Sequence, residues 1–153
     1  MPDLVSEQLE VDDNFEAVQE FYLERGWTDG LPVVPPTPER VAAMLAATPL
    51  KPQDIIGEIP PNWGSATVEK LAVNAVMAGC KPEYLPVIIA AVEAMCEEEF
   101  NLYAIQATTH PCAPLIIVNG PICEELGMHG GSGAYGPGWQ PNATIGRAVR
   151  LVQ

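Results

Sequence analysis

Ala113-Pro-Leu-Ile-Ile-Val-Asn-Gly120 is the run on which the fold reading turns. Its apolar centre, Leu115 to Val118, is closed by Pro114 on one side and Asn119-Gly120 on the other, which predicts a short, fully buried strand. Two polar clusters frame it. Thr108-Thr109-His110-Pro111-Cys112 comes just before, and His129-Gly130-Gly131-Ser132-Gly133 through Gly136-Pro-Gly-Trp139 follows a short turn later. A buried strand with polar side chains at one end and a glycine-rich loop at the other is how α/β folds build sites.

Working outward, Asp12-Asp13-Asn14 offers N-cap residues, and Phe15, Val18 and Tyr22 recur at helical spacing up to a C′ glycine, Gly26. Trp27-Thr28-Asp29-Gly30 reads as a turn. Leu31 to Pro36 is extended, because its prolines remove donors and push their predecessors out of the α region. Thr37-Pro38-Glu39 starts a helix with a cap, a proline at N1 and an acid in the first turn. Asp54 to Ile59 predicts a strand entering a Pro-Pro turn. Ser65 is the expected cap of a helix presenting Val68, Leu71, Ala72, Ala75 and Val76. Gly79-Cys80-Lys81-Pro82 breaks it before a second apolar helix, from Pro82 to about Glu97. Leu102 to Ala107 alternates and predicts a strand. Pro121 to Leu126 predicts a short helix, and Asn142 is the expected cap of a last one.

The expectation is therefore an α/β fold over residues 14–153. It is a single domain with a small, mostly buried sheet, about five flanking helices and long proline- and glycine-rich loops. An acidic tail, residues 1–13, precedes it. The last helix reaches Gln153 with an apolar face and no C-cap residue, which leaves its final carbonyls to be satisfied elsewhere and points to a partner subunit or to one piece of a longer ancestral polypeptide.

Composition narrows the function. The 153 residues carry a net charge of −13, which argues against nucleic acid and anionic membranes, since both need basic patches. No apolar stretch reaches the roughly 18 residues of a membrane span. The first residues show no signal peptide, so the expectation is a cytoplasmic protein with reduced thiols. Its four cysteines form no C-x-x-C pair and no zinc signature.

Three constellations carry candidate chemistry. The loop Gly130, Gly131, Ser132, Gly133, with Asn142 opening a helix and Thr144 and Arg147 beyond, offers backbone N–H groups to a carboxylate or single phosphate. It matches neither nucleotide-binding glycine pattern, and a tight structural loop is the alternative. His110 and Cys112, two apart in an extended stretch, face one side, as a thiolate–imidazole pair or, with His129, as ligands of a transition metal. A hydrogen-bonded structural histidine is the plainer reading. Cys80, beside Lys81 and a helix start, is the best nucleophile or redox thiol if its pKa is lowered; otherwise it is a small buried residue. Asp29 is a general base or, more simply, an Asx-turn residue.

The segments Trp27 to Thr37, Ala66 to Lys70, Asn74 to Tyr84, Gln106 to Pro111, Val118 to Pro121 and Gly136 to Arg147 together resemble a poorly characterised bacterial family found alongside the small UGSC-type (seleno)proteins. The resemblance implies a thiol- or selenol-linked partner protein. It also implies that this chain corresponds to the N-terminal half of a longer member. Cys112 departs from the family's small apolar residue after His-Pro, leaving Cys80 and His110 as the compatible pair, and the UGSC motif is absent.

These readings converge on a subunit of a cytoplasmic enzyme. It would act on a small anionic molecule by thiol-dependent redox or lyase chemistry through Cys80, His110, Thr108, Thr109 and Asp29. The alternatives are a non-catalytic structural subunit of an obligate hetero-oligomer and a metal-dependent hydrolase or hydratase using His110 and His129.

Overall fold

A computed structural model describes residues 3–153; of the expected acidic tail, Met1 and Pro2 lie outside them. Among the described residues there are seven α-helices and one two-stranded sheet. In chain order they are α1 (Phe15–Glu24), α2 (Pro38–Leu45), β1 (Ile55–Ile59), β2 (Gly64–Thr67), α3 (Val68–Met77), α4 (Leu85–Met95), α5 (Leu102–Ala107), α6 (Ile122–Glu125) and α7 (Gln140–Val152). The chain is mixed α/β, with the helices dominant.

The core is built on α3. Its Val68, Leu71, Ala72, Ala75 and Val76 are buried, as their spacing predicts, against Val41, Met44 and Leu45 of α2, Leu85, Ile88 and Val92 of α4, and Ile145, Ala148 and Val149 of α7. Thr67, rather than Ser65, caps α3 by accepting from the N–H of Lys70 at 3.3 Å. Ser65 lies in β2 instead, where its carbonyl accepts from Lys70 Nζ. The other start signals behave as predicted. Asn14 caps α1 through Ala17 N–H at 2.9 Å, Pro38 opens α2, and Pro86 falls in the first turn of α4, where a missing N–H costs least.

The hairpin β1–β2 is antiparallel, with Ile55 opposite Thr67, Ile59 opposite Gly64, and a bulge between Ile55 and Gly57. Ile59 and Ala66 are buried but Ile55 is exposed, so the sheet is smaller and less buried than expected. It packs on α4 at Gly57, where any Cβ would overlap Cys96.

Two predicted strands are not strands. Leu102–Ala107 is α5: Leu102 is buried and Ile105 and Gln106 are half-buried, an i, i+3, i+4 face that six residues can offer as readily as an alternating one. Residues 113–118 form neither helix nor strand, and their backbone pairs with no other strand. Nor are they fully buried. Ile116 and Val118 lean on the core, while Leu115 is 63% and Ile117 74% exposed.

The last carbonyl after α7 is satisfied from within the chain. Gln106 donates to the backbone carbonyl of Gln153 at 3.0 Å, and Arg150 to the Gln153 side chain. The apolar face of α7 is spent on α3 and α4. This helix end therefore does not by itself call for a partner.

Candidate functional site

The predicted site residues separate into three groups. The first is a corner where the loop after α1, the break after α3 and α7 meet. Thr28-Asp29-Gly30-Leu31 folds as an Asx-type turn: Leu31 N–H donates to Asp29 Oδ1 at 3.1 Å, Thr28 donates to the Leu31 carbonyl at 2.7 Å, and Gly30 takes φ +91°. Arg147, on α7, clamps this turn with Nε to Asp29 Oδ2 at 2.8 Å and Nη2 to Oδ1 at 2.9 Å. Nη2 also reaches the carbonyls of Leu31 and Pro32. The bidentate cation holds the Asp29 carboxyl down at about 2. Neither residue serves as sequence alone suggested: Asp29 is bound as a brace rather than poised as a base, and Arg147 is committed before any ligand arrives.

Cys80 belongs to the same corner. Gln140 of α7 holds the preceding carbonyl, that of Gly79, at 3.2 Å, and Gly79 turns with φ +84°. Burial pushes the Cys80 thiol up to about 11, against the weaker opposing pull of Thr144 and Arg147. The expected low-pKa nucleophile is thus corrected. Desolvation disfavours the thiolate more than nearby positive charge favours it. Thr144 spends its own hydroxyl hydrogen on the Gln140 carbonyl at 2.8 Å.

The second group is the glycine-rich loop. Asn142 does not cap α7, whose N-cap is Trp139. Its side chain instead ties the loop back, accepting from His129 N–H at 3.0 Å and donating to the carbonyls of His129 and Ala134. The His129 ring stacks on Trp139 at 4.1 Å and its Nε2 meets the Ser132 carbonyl at 2.9 Å. Gly136 N–H closes on the Gly133 carbonyl at 2.7 Å, with Gly133 at φ +84°. Gly130, Gly131, Ser132 and Gly133 therefore form a braced turn. Thr144 and Arg147, assigned to the same anion site from sequence, are engaged at the Cys80 corner.

The third group is the approach to the extended run. His110 N–H donates to Thr108 Oγ1, and Nδ1 of its ring lies 3.2 Å from the same oxygen. His110, Thr109 and Cys112 are exposed. Among the described residues the His110 side chain hydrogen-bonds only with Thr108, and no hydrogen bond joins it to Cys80. Among the described residues no three His, Cys, Asp or Glu side chains converge as metal ligands, and His110, Cys112 and His129 do not assemble.

Sequence reasoning missed Glu69 and Gln19. Glu69 is 1% exposed and accepts from the N–H groups of Val5 and Ser6 and from Gln53 Nε2, at 2.8–3.1 Å. An acid in the first turn of a helix reads as a dipole effect; its two apolar neighbours in the core face, Val68 and Ala72, were the available signal. Gln19 of α1 pairs both its amide groups with the backbone of Val33, fixing the proline-rich stretch. Among the described residues no helix is long and apolar enough to cross a membrane. No protein-family model, curated protein or solved structure matches this chain.

Proposed function

We propose that this chain is a subunit that completes itself on another polypeptide, and that the extended run Ala113–Asn119 is where it does so. One observation carries the reading. Among the described residues, no backbone N–H or C=O of residues 113–119 bonds to another backbone group, although Leu115, Ile116, Ile117 and Val118 are strand formers. Such an edge is normally blunted by charge or cut short. Here residues 107–121 hold no Asp, Glu, Lys or Arg, and the outer face presents Leu115 and Ile117. An added strand would meet backbone that no other backbone group pairs, with only the Val118 carbonyl held, by Cys123 Sγ at 3.2 Å, and would cover both side chains at once. The resemblance to a family with a partner protein agrees with this.

Native mass spectrometry of the protein purified from its own source, followed by hydrogen exchange, tests the reading. A species heavier than the 16.4 kDa chain, with slow exchange at Leu115 to Val118, is expected, and Leu115→Lys with Ile117→Lys should return it to the monomer. A monomer with rapid exchange across these amides would sink the proposal.

A second reading, an enzyme acting on a small carboxylate or phosphate, rests on His110. With Nδ1 beside Thr108, its Nε2 is left to solvent at the mouth of the same run. In that reading the imidazole transfers the proton, and the half-buried thiol of Cys80 does not supply redox or lyase chemistry. His110→Gln in the intact assembly should then lower turnover of an identified substrate by about 100-fold or more, and an unchanged rate removes it.

A further inference from the structure

The segment before α1 is not a free tail. Val5 and Ser6 donate to the two oxygens of the buried Glu69 carboxylate at 3.1 and 2.8 Å. Gln53 joins the same point, donating to Glu69 at 3.0 Å and to the Asp3 carbonyl at 3.2 Å. Leu4 packs on the core beside it. Beyond this fastening the segment changes character: residues 7–11 form no hydrogen bond with any described residue. It runs instead along one side of a cavity of about 1120 Å³, which exceeds the usual range of ligand pockets, roughly 300–1,000 Å³.

The walls of this chamber are apolar, aromatic and charged in turn. Val41, Val73 and Leu151, from α2, α3 and α7, make an apolar floor. The lining also holds an aromatic group, Phe21, Tyr22 and Trp27, whose rings meet edge to face at 5.9–6.1 Å, with the Arg25 guanidinium over Phe21 at 3.6 Å. Two cations, Arg40 and Arg150, line the chamber together with six carboxylates, of which Asp29 is held by Arg147 and Glu69 by neutral donors. Arg40 donates to the Pro35 carbonyl, and Arg150 to the side-chain oxygens of Gln106 and Gln153, all neutral partners. Among the described residues the one Arg–carboxylate pair is Arg147–Asp29. Both guanidiniums thus keep donor capacity in a fork that matches a planar or tetrahedral anion.

We infer that this chamber binds an aromatic organic anion, with residues 7–13 as its movable wall and the Glu69 carboxylate as the latch that anchors the wall. The ring system lies between the apolar floor and the aromatic group. The anionic head meets Arg40 or Arg150. Glu7, Glu10, Asp12 and Asp13 of the wall line the same space, so wall and ligand compete for the guanidinium field, and binding displaces the wall. Because the latch grips at Val5 and Ser6, the wall opens without the segment leaving the protein.

The probe is 1-anilinonaphthalene-8-sulfonate, added to the whole folded chain and followed by calorimetry and fluorescence. Saturable binding of one probe per chain is expected. Val73→Trp, which fills the floor, should abolish it, and Val18→Trp does the same from the opposite side should the first variant fail to fold. Arg40→Ala with Arg150→Ala should weaken binding about tenfold, the loss of one charge-assisted hydrogen bond. Wild-type chain that melts cooperatively yet binds no probe, or binding that survives a folded filling variant, overturns the assignment. Glu69→Gln turns an acceptor into a donor facing Val5 and Gln53, and should speed probe association several-fold in stopped flow. Ser6→Pro removes one latch donor alone and replaces it if Glu69→Gln misfolds. An unchanged association rate in a folded latch variant overturns the latch.

Discussion

The pairing of Asp29 with Arg147 shows what a single contact does to this chain. The two residues join the loop after α1 to α7, and removing one leaves the other's hydrogen bonds half-made. The sign of its pH dependence follows from the shift. The folded carboxyl sits at about 2, below the ordinary 3.8. Its contribution is therefore complete above pH 4 and is lost as pH falls through that window towards 2. Both side chains are partly exposed, so solvent screening holds the contribution to on the order of 1–2 kcal/mol. Denaturant melts at pH 4 and pH 2 should show that loss in the wild type and little of it in Asp29→Asn; equal losses in both would place the acid sensitivity elsewhere. Cys80 gives a second prediction. With its thiol pushed up to about 11, iodoacetamide at pH 7.5 should label exposed Cys112 long before Cys80, as read by peptide mass spectrometry. Labelling of Cys80 at the rate of Cys112 would revive it as a nucleophile.

At the scale of elements, the hairpin is held to α4 by the absence of a side chain. A Cβ at Gly57 would stand 2.8 Å from Cys96 Cβ and closer still to its sulfur. Gly57→Ala should cost about 1–3 kcal/mol, and Cys96→Ala in that background should recover part of it. A purely additive cycle would show that the two do not press on each other. No property of Gly57 in the sequence announces this, because the approach joins residues on elements far apart in the chain. What local patterning does announce is the set of helices whose apolar face is long: α2, α3, α4 and α7 lie where Val41, Leu71, Ile88 and Ile145 and their periodic neighbours predict them. Short runs fail for a physical reason. Leu102–Ala107 fits both periods, and Leu115–Val118 has strand composition without a strand partner within the chain. The candidate site fared worse for the same cause: Asp29, Cys80 and Arg147 are each recognisable, but their assembly is tertiary, and pairing turns a presumed base and a presumed anion ligand into a brace.

Taken as a whole, the molecule carries 20 acidic against 7 basic residues and contains one Arg–carboxylate ion pair among its described residues. Folding therefore gathers far more repulsion than attraction between charges, since the unfolded chain holds the same acids farther apart. The latch at Glu69 does not offset this, because its donors are neutral amides. Salt should consequently stabilise the protein. Raising ionic strength from 0.01 to 0.15 M shortens the screening length from about 30 to about 8 Å, enough to damp repulsion across the surface while leaving the close Asp29–Arg147 contact at 2.8 Å little changed. Calorimetric melts at pH 7 should show Tm rising by a few degrees. Stronger association between acidic chains would raise Tm in the same direction, so the measurement is made on the Leu115→Lys, Ile117→Lys chain and at two protein concentrations. A rise that is independent of concentration belongs to the fold; a fall in Tm would mean that attractive pairs, rather than like-charge repulsion, dominate the surface.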